Sequence, residues 1–150
     1  MTDAQVIQII TGFIGSLGFA ILFNVRGKKM LFAALGGLLS WGIFVLLGFA
    51  IESEAVRYFI VAASISIYAE MMARVLRTPT TTFIMTALIP LIPGGSLYYT
   101  MAYAFQSDLT RFLDKGIDTL QLALALALGV ILAAAATKTV FRLLPHKSAK

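Results

Sequence analysis

The chain has 150 residues, of which 59% are hydrophobic and only 13% charged, and its formal net charge is +5 at pH 7. A soluble domain carries about 25% charged and about 45–50% apolar residues, so a soluble core of this size could not bury so much apolar surface. The sequence therefore predicts an integral membrane protein. The absence of cysteine excludes disulfides and thiolate chemistry.

Five apolar segments each have roughly the 20 residues that a helix needs to cross a bilayer. They are residues 5–23, 30–51, 55–74, 80–106 and 117–137. We therefore expect an all-α polytopic bundle with five transmembrane helices, forming a membrane domain over residues 1–143 with a cytoplasmic tail over 144–150. A short interfacial helix around Phe112 is expected to lead into the fifth span.

The charged residues between these spans separate by sign onto two sides of the membrane. The basic side carries Arg26, Lys28, Lys29, Arg74, Arg77, Lys138, Arg142, Lys147 and Lys150. The acidic side carries Asp3, Glu52, Glu54, Asp108, Asp114 and Asp118. The positive-inside rule then predicts an N-terminus outside the cell and a C-terminus in the cytoplasm. The positive net charge thus indicates membrane orientation, and we expect no nucleic-acid partner.

The stretch LIPLIPGGSLYY, residues 88–99, interrupts the fourth span with two prolines and two glycines. Pro90 and Pro93 have no N–H for the helix ladder, and Gly94 and Gly95 tolerate backbone angles that other residues resist. We expect two half-helices joined by an unwound segment. In a straight 27-residue helix, this break would lie near the bilayer midplane.

The start of the second half-helix would carry unpaired N–H groups and roughly half a positive charge, which suits a carboxylate. The candidate substrate-binding residues are Pro93, Gly94, Gly95, Ser96, Tyr98, Tyr99 and Thr100. The alternative is a helix kink that packs against its neighbours and binds nothing. The residues alone leave both interpretations open.

Glu70 is an acidic residue inside the third span, and Arg74 follows four residues later. Acids within a membrane usually face the interior of a bundle, so proton coupling or substrate contact is one interpretation. The i,i+4 spacing favours the other interpretation, a structural ion pair between the two side chains.

Since the sequence has no metal-ligand cluster, nucleophile–base pair or phosphate loop, we expect no metal, no cofactor and no enzymatic activity. His146 is expected to be a solvated tail residue.

The segment PLIPGGSLYYTM, residues 90–101, resembles the Pro-x-x-Pro-Gly-Gly-x-x-Tyr hallmark of the threonine/serine exporter (ThrE-like) family. The segment YAEMMAR, residues 68–74, is similar to the pattern that follows the third span in that family. The resemblance implies a bacterial inner-membrane transporter that exports threonine and serine or, in some split systems, succinate. It also implies that this chain is the small five-span subunit of a split exporter, whose partner is a separate, larger ThrE-like membrane subunit.

Three functional hypotheses follow from these observations. The first is a proton-driven secondary exporter of a small carboxylate or amino acid, made of two subunits. The second is a non-transporting accessory or scaffold subunit, in which the broken helix is only a packing device. The third is a homo-oligomeric channel, which predicts flux without a partner. Backbone donors bind any carboxylate, so the residues do not distinguish threonine, serine and succinate.

Overall fold

The structure, a computed structural model, describes residues 2–143, with side chains through Val140. All regular structure in this part of the chain is helical. The six α-helices are α1 (Asp3–Leu22), α2 (Lys28–Leu47), α3 (Glu54–Val75), α4 (Thr80–Leu88), α5 (Gly94–Phe105) and α6 (Leu109–Leu143). A 3-10 turn, Ile89–Leu91, continues α4. The predicted tail, residues 144–150 with His146, lies outside the described residues.

Four of the helices, α1, α2, α3 and α6, are each long and apolar enough to cross a membrane. α4 and α5 pass the same test as a pair that includes the 3-10 turn, and their axes are bent by 58°. Counting the bent pair as one span, the chain is an all-α membrane bundle of five transmembrane units whose fourth is broken at Pro-Gly-Gly. This confirms the predicted fold class.

The centre of the bundle is α4, which packs between α2 and α3. α1 covers the other side of α2, α6 covers the other side of α3, and α5 packs along α6. We call the end that carries Asp3, the α2–α3 loop and the start of α6 the acidic end, and the end that carries the α1–α2 and α3–α4 turns the basic end. A cluster around Phe83 fills the core towards the basic end, and a cluster around Phe44, Tyr58 and Leu91 fills it towards the acidic end.

Small residues allow the helices to approach closely, as expected in a membrane, where apolar side chains gain little by leaving lipid. On α2, a side chain at Gly37 would overlap Ser16 of α1, and one at Gly36 would lie 2.7 Å from Ala87 Cβ of α4. On α6, a Cβ at Gly129 would lie 2.5 Å from a backbone oxygen of α3. Backbone packing at these three glycines therefore sets the spacing between the helices.

The interfacial helix expected before the fifth span is not a separate element. α6 is one continuous 35-residue helix, about 52 Å long at 1.5 Å per residue. Asp108 caps its start by accepting a hydrogen bond from Arg111 N at 3.1 Å, and Lys115 donates to Asp118 at 3.0 Å one turn later. The stretch before the fifth span contains no proline that would end the helix, and a helix tolerates a single glycine such as Gly116. The polar first turns and the apolar span therefore form one continuous helix.

Candidate functional site

The break in the fourth span follows directly from its two prolines. α4 ends at Leu88, and the next turn tightens so that Ile92 N donates to Ile89 O at 3.2 Å. Ile92 is extended, with ψ of 123°, and α5 begins two residues later at Gly94. Because Pro90 and Pro93 cannot donate to the helix ladder, the chain leaves α4 and restarts in a new direction. The two half-helices predicted from sequence are confirmed.

The start of α5 exposes backbone donors. Gly94 N donates to Ile92 O at 2.6 Å, and Leu97 N donates to Pro93 O at 3.0 Å. The N–H groups of Gly95 and Ser96 lie between these bonds and have no acceptor among the described residues, and no side chain caps the helix. A Cβ placed on Gly94 or Gly95 would meet nothing within 4 Å. An approaching anion therefore has open access to these donors.

The depth of this helix start differs from the sequence expectation. Ser96 lines an open pocket of about 240 Å³ at the acidic end of the bundle. The other lining residues are Ser53, Glu54, Ala55, Lys115, Asp118, Gln121 and Leu122. The start of α5 is thus level with the first turn of α3, whereas the sequence indicated a position near the bilayer midplane. The reason is where α4 begins: Thr80 lies beside Glu70, so α4 and the turn after it run back along α3 as far as Glu54 before α5 starts. The 58° bend then sets the direction of α5, which packs along the first turns of α6.

The seven candidate substrate-binding residues divide into two groups. Ser96 lines the pocket, and Gly94 and Gly95 precede it at the start of α5. Thr100 holds α5 against α6, with its Oγ1 3.1 Å from Thr119 Oγ1. The tyrosines lie on the uncovered side of α5 instead. Tyr98 and Tyr99 are both exposed and meet edge to face with ring centroids 5.4 Å apart. Substrate contact by these residues stays a prediction.

The pocket also contains charged residues that were not predicted as part of the site. Lys115 and Asp118 come from α6, where they form an ion pair with an N–O distance of 3.0 Å, and Glu54 comes from the start of α3. The i,i+3 spacing of Lys115, Asp118 and Gln121 places them on one helix face, which is the signal that could have identified them. The lining carries two acids and one base, so its own charge balance is negative beside the positive end of α5.

Glu70 and Arg74 form the ion pair that their spacing indicates. Glu70 Oε2 lies 3.6 Å from Arg74 Nη2, and Glu70 Oε1 accepts a hydrogen bond from Thr80 Oγ1 at 3.3 Å. The Glu70 side chain is 13% exposed and that of Arg74 is 48% exposed. The carboxylate thereby links the end of α3 to the start of α4. This geometry favours the structural interpretation, and a role in coupling stays a hypothesis.

We expect Glu70→Gln to lower the free energy of unfolding by about 1 kcal/mol or less, because Arg74 is half-exposed and its pairing is weakened by solvent. Export should keep its rate and its dependence on pH. Thermal unfolding of the purified protein and export at several pH values measure the two effects, with the exposed Glu52→Gln as control. A Glu70→Gln protein of wild-type stability whose export no longer depends on pH would instead make Glu70 the coupling residue.

A bundle of apolar helices that contains a broken span is a multi-pass α-helical membrane protein. Within that class, the chain matches the family model described as threonine/serine exporter, ThrE, over residues 8–136. Since the match covers most of the chain, the protein belongs to the threonine/serine exporter family of membrane transporters, as the Pro-Gly-Gly segment indicated. No curated protein and no solved structure matches the chain.

Proposed function

We propose that this chain is one subunit of a two-subunit secondary transporter that exports a small carboxylate or amino acid across the bacterial inner membrane. Its acidic end would face outwards, with the N-terminus outside and the C-terminus in the cytoplasm. The observation that supports this most directly is the start of α5, where the N–H groups of Gly95 and Ser96 are accessible and unpaired. The open space at Gly94 and Gly95 leaves room for a ligand at these donors.

The charges around this helix start favour threonine and serine over succinate as substrates. The α5 donors suit a carboxylate, while the carboxylates of Glu54 and Asp118 in the same pocket suit an ammonium group. An amino acid carries both groups. A dicarboxylate would bring a second negative charge towards Glu54 and Asp118, which costs free energy because like charges repel.

The uncovered side of α5 supports the requirement for a partner subunit. Among the described elements, α5 packs mainly along α6, and the opposite side shows large side chains, with Tyr98 68% and Phe105 84% exposed. Tyr98 follows the open donors by less than one turn, and Phe105 is at the other end of α5. A larger ThrE-like subunit packed on this side would enclose the substrate and exclude water and lipid from the site.

Export measurements with labelled threonine, serine and succinate test this proposal. Cells that lack their own exporters would produce this chain alone or together with the larger ThrE-like subunit. We expect saturable export of threonine and serine only when both subunits are present. Non-saturating flux from this chain alone would establish the homo-oligomeric channel, and no export with both proteins in the membrane would favour the scaffold.

A further inference from the structure

A second polar pocket lies at the acidic end, on the side of the bundle away from α5. It has a volume of about 210 Å³ and is bordered by α1, α2 and the first turns of α3. Its polar side chains are Gln5, Gln8, Trp41 and Arg57, and the ring of Phe44 forms an apolar wall. None of these residues belongs to the Pro-Gly-Gly segment or to the pocket beside Ser96.

Arg57 is held inside this pocket. Its guanidinium carbon lies 4.7 Å from the centre of the Phe44 ring, a cation–π contact, and its Nη1 lies close to Gly48, the residue that follows α2. The Nε atom is buried and has no hydrogen-bond acceptor in the described chain, and none of the ion pairs found there involves Arg57. A guanidinium is always charged, and Arg57 is half-buried without an acidic partner among the described ion pairs, so it is available to pair with an anion.

Trp41 supplies a second unpaired donor to the same pocket. Its ring stacks on Phe44 with centroids 5.1 Å apart, which fixes its orientation, and its indole Nε1 is buried without an acceptor among residues 2–140. Gln8 adds an amide group to the lining, and Gln5 adds its amide NH₂, since its Oε1 accepts a hydrogen bond from Thr2 N at 2.9 Å. The described lining contains no aspartate or glutamate, so its formal charge is positive, in contrast to the pocket beside Ser96.

We propose that Arg57 and Trp41 form a binding site for a small carboxylate in the half of the bundle nearest the acidic end. The Arg57 guanidinium pairs with the carboxylate oxygens, the Trp41 indole N–H donates to the same group, and the amides of Gln5 and Gln8 contact the remainder of the ligand. The convergence of two unpaired donors on a cavity without acids selects an anion.

The site leads to the broken helix. A neighbouring open pocket of about 250 Å³ shares Gln8 and Trp41 with it and extends past Gly12 to Ile89 and Pro90. A carboxylate bound at Arg57 therefore lies next to a groove that reaches the proline break. The interpretation of this ligand as transported substrate rests on the proposed export function, whereas its binding at Arg57 does not.

Trp41 is the only tryptophan in the chain, so its fluorescence reports on this site directly. The purified protein, in vesicles of phosphatidylcholine, would be titrated with threonine, with succinate and with threonine methyl ester, which lacks the carboxylate. We expect a saturable change in emission with threonine and succinate and none with the ester. Arg57→Gln should raise the Kd by about tenfold to hundredfold, the usual effect of losing a charge-assisted hydrogen bond, and Arg57→Lys should raise it less.

Arg111→Gln is the matched control, because Arg111 is also at the acidic end but is paired with Asp108 at 3.5 Å and lies outside the pocket. Its Kd should equal that of the wild type. An unchanged Kd in Arg57→Gln, or no response to any free carboxylate, would overturn the proposal. A response only when phosphatidylglycerol is added to the vesicles would also overturn it, since the occupant would then be a lipid phosphate.

The same variants in the export assay separate this inference from the proposed function. We expect Arg57→Gln to raise the KM for export while Arg111→Gln leaves it unchanged. Carboxylate binding at Trp41 without export would refute the proposed function and leave the site intact. Export with unchanged KM in Arg57→Gln, together with no carboxylate effect on Trp41, would refute the site and leave the proposed function intact.

Discussion

Gly95→Leu should abolish export while the protein still inserts into the membrane at the wild-type level. The leucine side chain has room, since a Cβ at Gly95 meets nothing within 4 Å, and leucine favours helix over glycine by up to about 1 kcal/mol. The fold is therefore preserved. The side chain would instead cover the N–H groups of Gly95 and Ser96, removing two hydrogen bonds to a charged substrate group, each contributing about 1.5–3 kcal/mol.

A loss of that size corresponds to at least about a hundredfold fall in the export rate. The measurement is the initial rate of threonine export from cells producing both subunits, normalised to the amount of this chain in the membrane. Gly95→Ala should be intermediate, because a methyl group leaves part of the donors accessible. Gly18→Leu, on α1 where the added Cβ also meets nothing within 4 Å, should export normally. Full export by Gly95→Leu would show that the start of α5 does not bind substrate.

Gly37→Val should strongly destabilise the bundle. The added side chain would overlap Ser16 and would come within 3.0 Å of the Gly12 carbonyl oxygen, so α1 would have to move away from α2. Overpacking of a tight contact costs about 3 kcal/mol. For a chain of this length, that corresponds to a fall in Tm of about 10 °C. Thermal unfolding of the purified wild-type and Gly37→Val proteins in detergent measures this fall in Tm.

Gly42→Val is the control, since it makes the same change on the same helix at a position where a Cβ meets nothing within 4 Å. The two substitutions make the same change in intrinsic helix propensity, so the difference in Tm isolates the contact between α1 and α2. Equal Tm values for the two variants would mean that the approach of these helices at Ser16 does not stabilise the fold.

The two polar pockets lie on opposite sides of the broken span. The pocket beside Ser96 is bordered by α3, α5 and α6, and the one around Arg57 by α1, α2 and α3. Their charges differ, since the first contains acids that suit an ammonium group and the second contains an unpaired guanidinium that suits a carboxylate alone. The binding and export tests on Arg57 and Gly95 address the two pockets independently.

The sequence by itself determined the membrane class, the all-α fold, the break in the fourth span and the family. These properties depend on local features: the length of each apolar run, and the missing N–H groups of Pro90 and Pro93. The Glu70–Arg74 ion pair was also predictable, because residues four apart on a helix are neighbours. Each of these inferences needs only one continuous segment of the chain.

The tertiary structure alone decided where the start of α5 lies and what surrounds it. The packing of α4 against α3, with Thr80 beside Glu70, brings Ser96 to the level of Glu54. The 58° bend then directs α5 along α6, and no local pattern specifies the size or direction of that bend. The continuous course of α6 likewise brings Lys115 and Asp118 next to Ser96. Arg57 and Trp41 were not predicted as a site, because they lie on different helices and share a pocket only through the packing of α1, α2 and α3. Contacts between residues far apart in the chain depend on how the whole bundle packs, which single-helix periodicity does not encode.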